Sequence, residues 1–167
     1  MLEIALLLIF PAAMAFAGAM DLLTMTIPNR VSVALAAAFV FAAYRAGLPL
    51  DVVAAHLGAG ALVLAVGIVF FAFGWLGGGD AKLMSAAALW IGFGDVLIVY
   101  FTAVTILGGA LSLAILAYRR FPVAALPGPQ WALNLHRPGS GIPYGLAIAG
   151  AALWIYPQTV WFKSFTV

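Results

Sequence analysis

The chain has 167 residues, of which 66% are hydrophobic and 7% charged, with a net charge of +2 and no cysteine. Seven Lys and Arg with five Asp and Glu cannot supply the polar coat of a soluble domain this long, so lipid must be the outer solvent and the expected class is an all-α polytopic membrane helix bundle. Without cysteine there is no disulfide, thiolate metal site or thiol nucleophile, and the scattered basic residues form no nucleic-acid patch.

Apolar runs cover 4–20, 31–46, 52–76, 81–93, 96–118 and 142–162, which predicts about six transmembrane helices in a single integral-membrane domain, 1–167. The first run is expected to remain as a span, because Met1, Leu2 and Glu3 lack the basic head of a secretory signal. The second and fourth runs are short for a bilayer, which takes about 20 residues to cross. Small residues such as Ala34, Ala36, Ala37 and Ala38, Gly58 and Gly60, or Gly108 and Gly109 suit close helix contact in lipid. Residues 119–141, with Pro122, Pro127, Pro129 and Pro138, read as a loop. In a six-span arrangement Arg30, Lys82, Arg119, Arg120 and Arg137 share one side, and Arg45 and Lys163 the other. The positive-inside rule makes the first side cytoplasmic.

Acids within or beside a bilayer are functional candidates, because they are costly there. Glu3, at the start of the first run, and Asp51, beside Pro49 before the third, read as ordinary helix-end residues, and Asp95 after Gly94 as a helix cap. Asp21 closes the first run and opens DLLTMTIPNR, 21–30. Asp80 lies in WLGGGDAKL, 75–83, where Gly77, Gly78 and Gly79 permit backbone conformations and close approaches that a side chain forbids. Both fall on the predicted cytoplasmic side. Two carboxyl groups held together share a proton, so that one takes a proton from water and the other donates one to a carbonyl oxygen. His56, on a span, and His136, in the loop, are too isolated for a metal cluster or a triad.

Asp21 followed by Ile27, Pro28 and Asn29, then GGGDAKL over 77–83, resemble the two aspartate motifs of prepilin peptidases. IPYGLAIAGA, 142–151, is similar to that family's Pro-aromatic-Gly motif, here Pro143, Tyr144 and Gly145. The resemblance implies a membrane aspartic endopeptidase in which Asp21 and Asp80 activate water at the cytoplasmic face of a bacterial inner membrane, with no cofactor or metal. It implies partners in the form of type IV prepilins or pseudopilins, the bilayer and other pilus-assembly proteins. Lys82 reads either as a group that positions substrate or tunes Asp80, or as a snorkelling anchor. The loop of about ten residues after the first run and the lack of cysteine depart from larger members, which carry a zinc-binding domain there and also methylate the trimmed pilin. The chain resembles the short Flp or Tad branch, with no methyltransferase activity implied. Arg30 stands where many relatives have an aromatic residue. Three readings stay open beside this one: a preflagellin or presenilin-like aspartic protease, a small proton or cation transporter using the same aspartates, and a non-catalytic subunit of a pilus machine.

Overall fold

The computed structural model describes residues 2–120, 129–137 and 139–166, while the side chains of residues 163, 165 and 166 are outside it. Pro122, Pro127 and Pro138 therefore lie outside the described residues, as does the side chain of Lys163. The elements are helices α1 (Leu2–Thr24), α2 (Asn29–Arg45), α3 (Leu50–Ala72), α4 (Gly78–Ile91), α5 (Asp95–Tyr118), α6 (Gln130–His136), α7 (Tyr144–Ile155) and α8 (Val160–Thr166), with a 3-10 turn at Tyr156–Gln158. Among the described residues there is no strand, and the chain is an all-α membrane helix bundle.

The six apolar runs yield three helices long and apolar enough to cross a membrane, α1, α3 and α5. The helices from the second and fourth runs have 17 and 14 residues and the one from the last run 12. At ~1.5 Å per residue none of these three reaches the ~30 Å of a hydrocarbon core. Helix α4 manages with so few turns because it is enclosed: Leu83 and the stretch from Ala86 to Ile91 are buried. The long helices instead show large apolar side chains outward, among them Leu8 and Phe16, Leu62 and Ile68, and Ile106 and Leu113. That is the surface expected where lipid is the solvent.

Two sequence boundaries shift. The last run, 142–162, is broken into α7, the 3-10 turn and α8 where Pro157 removes a helical donor. The expected loop 119–141 contains α6, whose His136 ring stacks edge-on against Tyr118, while the Tyr118 hydroxyl donates to the Ala132 carbonyl at 3.3 Å.

Helix α1 runs toward one end of the bundle, α2 leads away from it and α3 returns. A hairpin over Phe73–Gly77, with Gly74 at φ 73°, then turns the chain into α4. Helices α3 and α4 pack closely because a side chain at Gly67 would lie 2.9 Å from the Ala81 Cβ. Helix α7 packs between α1 and α5, and a Cβ at Gly18 of α1 would come within 2.9 Å of the Ala149 Cβ. Small residues thus substitute direct helix contact for a hydrophobic driving force that lipid does not supply. Helix α1 also contains Pro11, which has no N–H to bond the carbonyl four residues earlier. That carbonyl, Leu7 O, accepts instead from the Tyr156 hydroxyl at 2.9 Å, and the Tyr156 ring stacks on Phe10 at 4.9 Å. At the opposite end from the hairpin His56 is packed as a core residue. Its Nδ1 lies 2.8 Å from the Leu89 carbonyl and its ring meets Phe39 and Trp161.

Candidate functional site

Asp21 lies inside α1 rather than after it, three residues before the helix ends, and is buried. A buried carboxyl needs donors. Asp21 finds one at the start of α7, where the Gly145 N–H donates to its Oδ2 at 2.7 Å across 124 residues of chain. The first N–H groups of a helix have no partner within it, and the positive end of the helix dipole favours an anion there. Gly145 must be glycine on this geometry. A Cβ on it would sit 2.7 Å from Ile27 Cδ1, 2.8 Å from Asp21 Oδ2 and 3.0 Å from Asp21 Cβ.

Asp80 occupies the first turn of α4, a helix that begins without a side-chain cap. Its Oδ1 is buried without a hydrogen-bond partner among the described residues. Burial first, and the nearby charge of Asp21 second, push its carboxyl up from the ordinary range to about 7. A buried, unpartnered carboxyl oxygen near a second acid, outside the three helices of crossing length, is an arrangement held at a cost.

The glycine run before Asp80 serves space rather than unusual backbone angles. Gly77 has φ −67°, and Gly77, Gly78 and Gly79 are all absent from the positive-φ region. A Cβ on Gly77 would lie 2.7 Å from Asp80 Oδ2, on Gly78 3.3 Å from the Phe71 ring, and on Gly79 3.2 Å from Ile27 Cβ. Ile27 is therefore the wedge of the site, touching the residue before Asp80 on one side and the residue bonded to Asp21 on the other.

Pro28 is the N-cap residue of α2 and holds an extended backbone, φ −62° and ψ 128°, so the chain leaves Ile27 and re-enters a helix at once. Asn29, the first residue of that helix, accepts a hydrogen bond from Lys82 Nζ at 2.9 Å. Lys82 thus ties the start of α2 to the start of α4. Pro143 is fully buried at the entrance to α7, and the Tyr144 ring lies against Gly108 of α5, where any side chain would collide with it. All the residues singled out by the three sequence segments, Asp21, Ile27, Pro28, Asn29, Gly77, Gly78, Gly79, Asp80, Lys82, Pro143, Tyr144 and Gly145, gather at one end of the bundle. Arg30, Lys82 and Arg119 are at that same end.

A cavity of about 910 Å³ opens beside Asp80. Its walls are Leu62, Val66 and Phe70 of α3 and Leu97, Phe101 and Val104 of α5, with Asp80, Tyr144 and Arg119 among its polar residues. It is a mostly apolar trough with a carboxyl in its wall, fit for an apolar chain presenting a polar bond to Asp80.

The other acids stay apart. Glu3, Asp51 and Asp95 are exposed in the first turns of α1, α3 and α5. Asp95 makes no capping hydrogen bond, and the cap position is Gly94. Among the described residues no group of three His, Asp or Glu is placed to hold a metal. Arg119, Ser140 and Gly141, which read in the sequence only as charge and loop, line the cavity with Asp80. A single Arg at the end of an apolar run carries no local sign of such a role.

A model of the type IV leader peptidase family matches residues 8–113, well over half of the chain and including Asp21, Ile27 to Asn29 and Gly77 to Lys82. No curated protein and no solved structure gives a match.

Proposed function

The chain belongs to the type IV leader peptidase family, and from that premise we propose that it is an aspartic endopeptidase that removes the leader of Flp or Tad-type prepilins or pseudopilins. Asp21 and Asp80 are its catalytic pair. The observation that carries the reading is the convergence of two acids, 59 residues apart in sequence, on one end of the bundle, with Asp80 in the wall of a cavity and its Oδ1 buried without a partner among the described residues.

The chemistry follows from that arrangement. Asp80 keeps its proton to about pH 7, so it is the donor to the carbonyl oxygen of the scissile peptide. Asp21, oriented by the Gly145 N–H, accepts a proton from the water that attacks the carbonyl carbon. The tetrahedral intermediate collapses when the leaving nitrogen takes up a proton, and the pair returns to sharing one. No covalent enzyme intermediate and no metal enters. Basic residues at the site end, Arg30, Lys82, Arg119, Arg120 and Arg137, support a cytoplasmic site in a bacterial inner membrane. The apolar trough supports a substrate whose hydrophobic helix stays in lipid while the cleavage site reaches Asp80. Methyltransferase activity is not part of the proposal. Association with other pilus-assembly proteins is.

The test is cleavage of a Flp-type prepilin by the purified protein in liposomes, read by mobility shift and N-terminal sequencing of the product. A single new N-terminus at the leader junction is expected. An uncut prepilin, together with proton or cation flux in the same liposomes, would favour the transporter reading instead.

A further inference from the structure

Helix α5 ends in a fork that grips the segment leading to the site. Arg119, its C-cap residue, donates through Nε to the Leu135 carbonyl at 2.8 Å. Its Nη2 reaches the Ser140 carbonyl at 2.8 Å, Ser140 Oγ at 2.8 Å and the Gly141 carbonyl at 2.9 Å. Ser140 Oγ in turn donates toward the Leu135 and Arg137 carbonyls at 3.2 and 2.9 Å. These acceptors are neutral oxygens, so the planar fork of the guanidinium, rather than its charge, is what the contact uses. Four residues beyond Gly141 the chain reaches Gly145, whose N–H holds Asp21. Between them Pro143 is buried and fixed in φ, and Tyr144 is seated on Gly108 of the same helix α5.

We propose that Arg119 is a positioning residue of the peptidase: its guanidinium fixes Leu135, Ser140 and Gly141 to the end of α5 and so sets the place of the Gly145 N–H that orients Asp21. The inference rests on the peptidase reading above. Arg119 does not touch Asp21. It acts through Ser140, Gly141 and the short link to Gly145, while Tyr144 anchors that link from the other side.

Because the role is geometric, substituting the side chain misplaces the oriented carboxyl, while the apolar walls of the trough on α3 and α5, which would hold the substrate, stay in place. The test is steady-state cleavage of a Flp-type prepilin by the full-length protein in liposomes. Arg119→Gln is expected to lower kcat by about tenfold to a hundredfold while KM stays within about threefold. Arg119→Lys keeps the charge but not the fork, and is expected to fail to restore kcat. Arg120→Gln removes the same charge from the exposed neighbour and is expected to leave both constants unchanged. Ser140→Ala should give a smaller loss in kcat, and the Ser140→Ala, Arg119→Gln pair should be no worse than Arg119→Gln alone, because the two side chains act as one unit. If Arg119→Gln fails to fold, Arg119→Lys and Ser140→Ala decide the matter. Full kcat in Arg119→Lys, a loss confined to KM, or additive losses in the pair would overturn the inference. A parent protein that leaves the prepilin uncut sinks the peptidase reading itself, whereas a cutting parent with unaffected Arg119 variants sinks only this role.

Discussion

Replacing Gly145 with alanine tests the hold on Asp21 through one methyl group. The new Cβ would stand 2.7 Å from Ile27 Cδ1, 2.8 Å from Asp21 Oδ2 and 3.0 Å from Asp21 Cβ, where ordinary contact begins at 3.4 Å. Ile27 Cδ1 is the tip of a side chain and can turn aside. The Asp21 stem cannot, since it is anchored in α1, so Asp21 and the α7 terminus must separate by about 0.4 Å or more at the Cβ and further at the oxygen. That stretches a hydrogen bond of 2.7 Å and shifts the carboxyl that the proposed mechanism uses to activate water. Misplacement on the scale of an ångström costs up to about a hundredfold in rate, so Gly145→Ala is expected to cut kcat for prepilin cleavage by about tenfold to a hundredfold. Overpacking of this kind destabilises by about 1–3 kcal/mol, a loss to be followed by thermal melting in detergent. Gly109→Ala is the matched control, because a Cβ there meets nothing within 4 Å. Parent-like cleavage by a folded Gly145→Ala protein would refute the claim that the Gly145 N–H places Asp21.

Tyr156→Phe strips the Leu7 carbonyl of the hydroxyl that replaces the missing Pro11 donor. A loss of about 1–3 kcal/mol is expected in thermal melting, with kcat unchanged because the contact is at the far end from Asp80. Met25, just after α1, has φ 56°, a left-handed conformation that costs a non-glycine residue ~1–2 kcal/mol. Met25→Gly is expected to recover part of that, seen as a modest rise in melting temperature. The pH profile carries the sign of the Asp80 assignment: a carboxyl raised to about 7 is protonated below that pH and loses its proton above it, so cleavage that needs Asp80 as donor falls as pH rises through about 7. A rate that climbs steadily from pH 6 to 9 would reverse the roles of the two acids.

Membrane class and helical architecture were legible because composition constrains the solvent more tightly than any local pattern does. The three segments that meet at one end of the bundle were legible as candidates, since Asp21, the Ile27 to Asn29 turn, Gly77 to Lys82 and Pro143 to Gly145 each combine unusual residues in a fixed order. Helix ends were less so. The first run stops at Asp21 by hydropathy, yet α1 continues to Thr24, with the Asp21 carboxyl buried inside it and bonded to the Gly145 N–H. The sequence cannot display a partner 124 residues away. Helix α6 was read as loop for the same reason, being held by Tyr118 and Arg119 rather than by an apolar stripe of its own. The break in the last run sits at Pro157, which the hydropathy of the residues around it conceals. Glycines 77–79 were read as permitting either unusual backbone angles or close approaches, and only the fold shows that it is the second, with Phe71, Ile27 and the Asp80 carboxyl as the neighbours.

The most direct measurement compares prepilin cleavage in membranes by the parent, Asp21→Asn, Asp80→Asn and Asp95→Asn proteins at matched expression. The two-aspartate account predicts no cleavage by Asp21→Asn or Asp80→Asn and parent-like cleavage by Asp95→Asn, whose side chain is exposed at the start of α5. Cleavage at the parent rate by either Asp21→Asn or Asp80→Asn would contradict it.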